Sequence, residues 1–400
     1  MAKIKENLNI IIYFLIACIL TGIMFYAIDK KEGFHEDEIF SYGVANSSLS
    51  PTFLSYRKTD NFDTIRKTDN IFESIKNWIY YDNYEQAENE LMENTKTAIW
   101  RTRLDGQEYL RIDSAKEAFD FFTVIWHTAR DVHPPLFYIA VHIASIFFFG
   151  TFSKYIIFAV NLIFFIGTCI LLWKILSKLN KKYLSVPNLI LYGASIGAIS
   201  TVMFQRMYMM LTFFTVYFLL INLKIYYEDF KLSKKRKIEL GVITILGFLT
   251  QYYFCFYAAF LAFVMTVLML RKKEKQLAKT YIFQYIRAGI IGVLIFFPSV
   301  IHIFFSYRGV GGVGSEYGII NKIIVFTESI FSAFSIPNII GLIILVLLLI
   351  ALIFKFIKSD KKSIYLILTI PTFLYFIFAV IMSPYRSLRY LMNILPIITI

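Results

Sequence analysis

The chain has 400 residues, 58% of them hydrophobic, and a mean hydropathy of +0.61. That apolar content exceeds the roughly 45–50% of ordinary soluble domains and excludes a water-soluble fold. The formal charge of +13 does not signal nucleic acid, because the Lys and Arg residues sit in short clusters between apolar runs rather than on one soluble face.

In chain order, Lys3 and Lys5 precede an uncharged run at 8–28, which is too long for a signal-peptide core and reads as a retained first helix with a cytoplasmic N-terminus. Residues 30–131 then hold 13 of the 41 basic and 19 of the 28 acidic residues, so this stretch is net acidic and the remainder strongly basic. A long loop after a helix whose basic flank is N-terminal is expected outside the membrane. Its extent is 29–133, and mixed apolar and charged segments at 71–84 and 115–127 suit helices lying on the membrane surface.

Further apolar runs cover 136–149, 155–176, 186–204 and 209–226, with cytoplasmic basic clusters expected at 178–182 and 231–237. The stretch 240–270 reads as two helices turning near 251–253, followed by a basic cluster at 271–279. A span is expected over 287–305 and an external glycine-bearing loop over 306–318. A span over 339–357 then returns to a basic cluster at 358–362, and another runs out over 364–381.

If 136–149 crosses, the cluster at 178–182 falls on the wrong side, and the run has only 14 residues, so a re-entrant or surface-lying path is also open. The last run, 388–400, is about half the length of a full span, so a C-terminal portion is expected beyond it. The expected fold is an all-α polytopic bundle forming one domain over residues 1–400. Cys18, Cys169 and Cys255 lie inside apolar runs without metal-ligand spacing, which points to neither a zinc site nor a disulfide framework.

Two motifs carry chemistry. Glu36, Asp37 and Glu38 stand within ten residues of the first helix's outer end. Crowded like charges beside a low-dielectric phase disfavour one another's ionised forms, the condition under which a carboxylate becomes a base matched to an acceptor hydroxyl. The bland alternative is a solvated acidic turn. At the far end of the loop, Asp131, His133, Pro134, Pro135 and Leu136 mark the return to the membrane, where two prolines fix the backbone beneath Asp131 and His133. The bland alternative there is a Pro-started helix with a charged flank.

Together these motifs resemble the GT-C superfamily of membrane glycosyltransferases, specifically the dolichyl-phosphate-mannose protein mannosyltransferase and aminoarabinose transferase relatives. Asp37 and Glu38 match that family's Asp-Glu pair, and residues 131–136 match its Asp-x-His-Pro-Pro-Leu element. Gln205, Arg206, Met207 and Tyr208 are similar to its Arg-Met-Tyr before a long helix, and Arg389, Tyr390 and Leu391 precede Pro396 as its late motif does. Phe137 and Tyr138 stand where the protein mannosyltransferases commonly have Gly-Lys, which favours the broader bacterial branch.

The resemblance implies a GT-C bundle of about nine to eleven membrane helices with its active site on the extracytoplasmic face of the cell membrane. It implies an inverting transferase with a polyprenyl-phosphate sugar as donor, a protein, wall polymer or lipid as acceptor, and Asp37, with Glu38, as catalytic residues. Asp131, His133, Arg206, Tyr208, Arg386 and Arg389 are the substrate-binding candidates, the arginines because cations can stabilise a phosphate leaving group. For each arginine alone an interfacial anchor is the competing reading.

No cofactor is implied with certainty, and a metal is not indicated, since His133 has no second His at ligand spacing. His127, His142 and His302 are read as structural or interfacial. The Lys-, Ile- and Asn-rich composition suggests undecaprenyl phosphate as the carrier lipid. The rival reading from another class is a transporter or flippase of a lipid-linked glycan, which would place charged or broken helices near mid-membrane. A non-catalytic scaffold is the third, against which the paired motifs flanking the loop argue.

Overall fold

Within a bilayer the backbone must satisfy its own N–H and C=O groups, so apolar runs fold as helices. The computed structural model describes residues 2–46, 110–131, 133–299, 318–358, 362–383 and 385–400. Among these, every regular element is helical. The expected surface helix at 71–84, most of the glycine-bearing segment 306–318, and His302 lie outside the described residues.

The first helix, α1 (Ala2–Lys30), is followed by α2 (Glu36–Asn46), α3 (Ala115–Ala118), α4 (Phe121–Arg130), α5 (Leu136–Phe147) and α6 (Lys154–Lys178). Next come α7 (Ser185–Gly193), α8 (Ile196–Met203), α9 (Tyr208–Tyr227), α10 (Lys234–Thr250), α11 (Tyr253–Arg271) and α12 (Lys275–Ile295). The chain continues through α13 (Ile319–Ala333), α14 (Asn338–Lys358) and α15 (Lys362–Met382), then a 3-10 turn at Leu388–Tyr390 and the short α16 (Leu395–Ile398). Six helices among the described residues are long and apolar enough to cross a membrane, and a seventh span results if the bent pair α7 and α8 is counted as one. This makes the chain a multi-pass membrane protein.

Several expectations change. The run at 186–204 is not one helix but two, bent by 59°. Ser195 makes the joint: its hydroxyl donates to the Tyr192 carbonyl at 2.6 Å and accepts from the Ala198 N–H at 3.0 Å, ending one helix and capping the next. The segment at 115–127 is likewise split. Ser114 and Glu117 form a reciprocal capping box at α3, and Asp120 caps α4 by accepting from the Thr123 N–H. Helix α12 begins twelve residues before the span expected at 287, and α13 was not anticipated. The run at 388–400 forms short turns rather than one helix, with Leu391, Leu395 and Ile397 in the core.

The neighbours of the run at 136–149 show where its two ends lie. Lys154 at the start of α6 donates to the carbonyls of Asp29 and Lys31 at the end of α1, at 2.9 and 2.8 Å. At the opposite end Tyr13 of α1 reaches the Lys182 carbonyl at 3.5 Å. Helices α1 and α6 are therefore antiparallel neighbours, and α5 leaves and rejoins the same end. Its 12 residues would span only about 18 Å at 1.5 Å each, short of the roughly 30 Å hydrocarbon layer.

The same alternation continues. The start of α11 packs against the end of α15 through Tyr253, Phe256 and Phe378, and the end of α10 meets α12 where Gly292 fits against the Phe248 ring. Chain reversals thus gather the basic clusters 178–182, 231–237 and 271–279, with Lys358 and Lys362, at the end of the bundle opposite Asp37. There Arg236 bridges Glu228 and Glu239, tying the end of α9 to the start of α10.

Candidate functional site

The site is assembled where α1, α6, α8, α9 and the C-terminal turn end together. Asn161 of α6 is fully buried and donates from one amide nitrogen to the carbonyls of Val202 and Phe204, at 3.0 and 3.1 Å. These are among the carbonyls that the end of α8 leaves without helical partners. Phe204 is extended and the chain then turns tightly, the Arg206 N–H donating to the Phe204 carbonyl at 2.7 Å, so that Gln205 and Arg206 are presented to α2.

Glu38 receives that segment. It is fully buried, and its carboxylate accepts from the N–H of Gln205 at 2.9 Å, the N–H of His35 at 2.7 Å and the ammonium of Lys31 at 2.9 Å. With every partner a donor, the buried charge is compensated. Glu38 holds the backbone on which its neighbours depend, and it offers no face to a reacting group.

Asp37 is one residue away and half-buried, with 30% of its side chain exposed. Its Oδ2 accepts from Arg389 Nη1 at 2.7 Å, with His35 Nδ1 3.7 Å from the same oxygen. The sequence expectation of three crowded carboxylates is corrected here. Glu36 is exposed, Asp37 faces Arg389 and Glu38 faces Lys31, because successive residues at the first turn of α2 point in different directions.

Arg206 is buried and donates from Nη1 to the Asp37 carbonyl at 3.0 Å and to Ser41 Oγ at 3.2 Å. Its Nη2 lies 3.4 Å from His133 Nε2. A guanidinium only donates, so His133 Nε2 accepts and Nδ1 carries the hydrogen that Asp131 Oδ2 accepts at 2.8 Å. Tyr138 adds its hydroxyl to the same carboxylate oxygen at 3.3 Å. Asp131 and His133 are thus linked to Asp37 through Arg206.

Burial works against the charge of Arg206, but Tyr138, Tyr208, Asp131 and Asp37 outweigh it and leave its pKa above the ordinary value. Burial of the Tyr138 hydroxyl pushes its pKa well above the usual tyrosine range. Arg389 behaves like Arg206: burial lowers its pKa, and Tyr208, Tyr390 and Asp37 raise it further.

Tyr208 is buried, stacked on Phe204 with ring centroids 5.6 Å apart, and its ring lies where both arginines and Asp37 act on it. Arg389 sits over the rings of Tyr385 and Tyr390, 5.2 Å from each centroid, and donates from Nη2 to the Tyr390 hydroxyl at 3.2 Å. Among the described residues the buried Nε atoms of Arg206 and Arg389 have no hydrogen-bond partner. Arg386 is exposed on the chain leading into the 3-10 turn. Of the predicted residues, Asp37, Glu38, Asp131, His133, Arg206, Tyr208 and Arg389 form one connected group.

Sequence reasoning missed Ser41 and Lys31 as partners. Their signal is faint: Ser41 lies one helical turn past Asp37, and Lys31 looks like an ordinary interfacial lysine. His127 and His142, read as structural or interfacial, are buried against the end of α2. His127 Nδ1 lies 3.1 Å from the Val44 carbonyl and His142 Nδ1 lies 2.7 Å from that of Ala45. Among the described residues no three His, Cys, Asp or Glu side chains converge as a metal site would require. Comparisons with protein-family models, with curated proteins and with solved structures return no match to this chain.

Proposed function

We propose that this protein is an inverting glycosyltransferase that moves a monosaccharide from a polyprenyl-phosphate donor to an acceptor outside the cell. The observation that carries this reading is the convergence of a half-buried carboxylate, Asp37, with two buried or half-buried arginines at one end of a membrane bundle. A base and cations within one site suit the two charges of the reaction. Asp37 takes the acceptor's hydroxyl proton as that oxygen attacks the anomeric carbon. The bond from that carbon to the phosphate oxygen breaks with inversion, and the electron pair leaves on the lipid phosphate.

Arg389 and Arg206 offer N–H donors to that phosphate, and Tyr208 walls the site. The gathering of basic clusters at the far end supports a cytoplasmic assignment for that end and an extracytoplasmic one for Asp37. Alternating chain directions support nine crossings in a GT-C arrangement, with α10 and α12 counted, α7 and α8 as one, and α13 with α14 as one. Transport is the weaker reading, because this charged group lies at the bundle's end rather than at mid-depth.

The test is transfer of label from a panel of radiolabelled polyprenyl-phosphate sugars by the purified protein in membranes, wild type against Asp37→Asn. Asp37-dependent release from one donor supports the transferase; release from none at matched folded protein sinks it.

A further inference from the structure

Asp37 and Arg389 are bonded to each other, and each is then occupied by the other rather than by a substrate. The 2.7 Å contact is a charged hydrogen bond on a partly buried pair, with 19% of the arginine and 30% of the aspartate side chain exposed. A carboxylate oxygen whose lone pair is held by a guanidinium is a poor acceptor for a hydroxyl proton, and a guanidinium held by a carboxylate is a poor phosphate ligand.

The two arginines differ in how firmly they are tied. Arg206 has its Nη atoms on the Asp37 carbonyl, Ser41 and His133, all fixed by α2 and the start of α5. Among the described residues the Arg389 side chain has one hydrogen-bond partner besides Asp37, the hydroxyl of the adjoining Tyr390, and its buried Nε has none there. It is carried by a three-residue 3-10 turn and flanked by two aromatic faces that accommodate a guanidinium in more than one direction.

We infer that Arg389 is exchanged between Asp37 and the donor's phosphate, so that the base is released only when the lipid phosphate is in place. This rests on the transferase reading and adds an order to it: donor binds first, and an acceptor arriving alone meets a neutralised base.

The experiment is a binding cycle that needs no turnover. Undecaprenyl phosphate is titrated into wild-type, Asp37→Asn, Arg389→Gln and doubly substituted protein in phosphatidylcholine nanodiscs, with thermal unfolding recorded for each. Asp37→Asn removes the competitor for Arg389 and is expected to tighten binding about tenfold, equivalent to ~1.4 kcal/mol, with the gain absent when Arg389→Gln is also present. Equal or weaker binding by folded Asp37→Asn overturns the exchange. So does a gain of the same size in both backgrounds, which would be mere relief of charge repulsion. Asp37→Ser repeats the comparison should Asp37→Asn misfold. Sugar release without this coupling rejects the exchange and keeps the transferase, whereas coupling without sugar release from any donor does the reverse.

Discussion

At Glu38 the carboxylate is filled by Lys31 and by the backbone amides of His35 and Gln205, whereas at Asp37 one oxygen faces a single arginine in a half-open setting. The two acids should therefore fail differently. Asp37→Asn is expected to lower turnover by a factor on the order of 10²–10⁴, the range for loss of a general base, with the unfolding temperature unchanged. Glu38→Ala strands the buried Gln205 amide, the His35 amide and an ammonium, and is expected to destabilise the fold by about 3 kcal/mol, read as a lower unfolding temperature in detergent. Turnover lost with stability intact in Glu38→Ala would reverse the assignment. At Arg206 the spread of Nη1 and Nη2 over three acceptors needs the planar fork, so Arg206→Lys should impair activity nearly as much as Arg206→Gln despite keeping the charge.

Helices meet closely where a side chain is missing. A Cβ on Gly197, in the first turn of α8, would lie 2.9 Å from Ala333 Cβ and 2.8 Å from a Leu395 methyl. The break at Ser195 aims α8 at this contact and so sets the position of Gln205 and Arg206 beyond its end. Gly197→Val should cost about 1–3 kcal/mol of stability by overpacking, and Gly22→Val, with open space around its Cβ, should not. A pair of equal unfolding temperatures would contradict the packing described. Periodicity and hydropathy announced most of the long helices to within a few residues, since a bilayer demands uninterrupted apolar length. They missed the break at Ser195 because a serine within an apolar run gives no sign of whether its hydroxyl bonds back within its own helix or caps the next one.

Across the molecule, charge is sorted by end. The acidic and arginine-bearing site occupies one end and four basic groupings the other, with both ends of the short α5 on the side of the site. Cysteine labelling in intact cells tests the orientation. Gly33→Cys, at an exposed position with room for a side chain, is expected to react with a membrane-impermeant maleimide, and Lys182→Cys only after permeabilisation. The reverse pattern would place the site on the cytoplasmic face and exclude an extracytoplasmic acceptor.

Membrane residence, the approximate course of the long helices and the identity of the residues that bear charge at the boundary were legible in the amino-acid order, because each follows from local apolar length or from charge interrupting it. The partners of those residues were not. Asp37 and Arg389 are 352 positions apart and Arg206 lies 169 from Asp37, and no periodicity reports contacts across such separations. Only the packing of α2 against the ends of α1, α6, α8 and the C-terminal turn decides that adjacent carboxylates take different partners, one a buried clamp and the other a half-open acid held by an arginine.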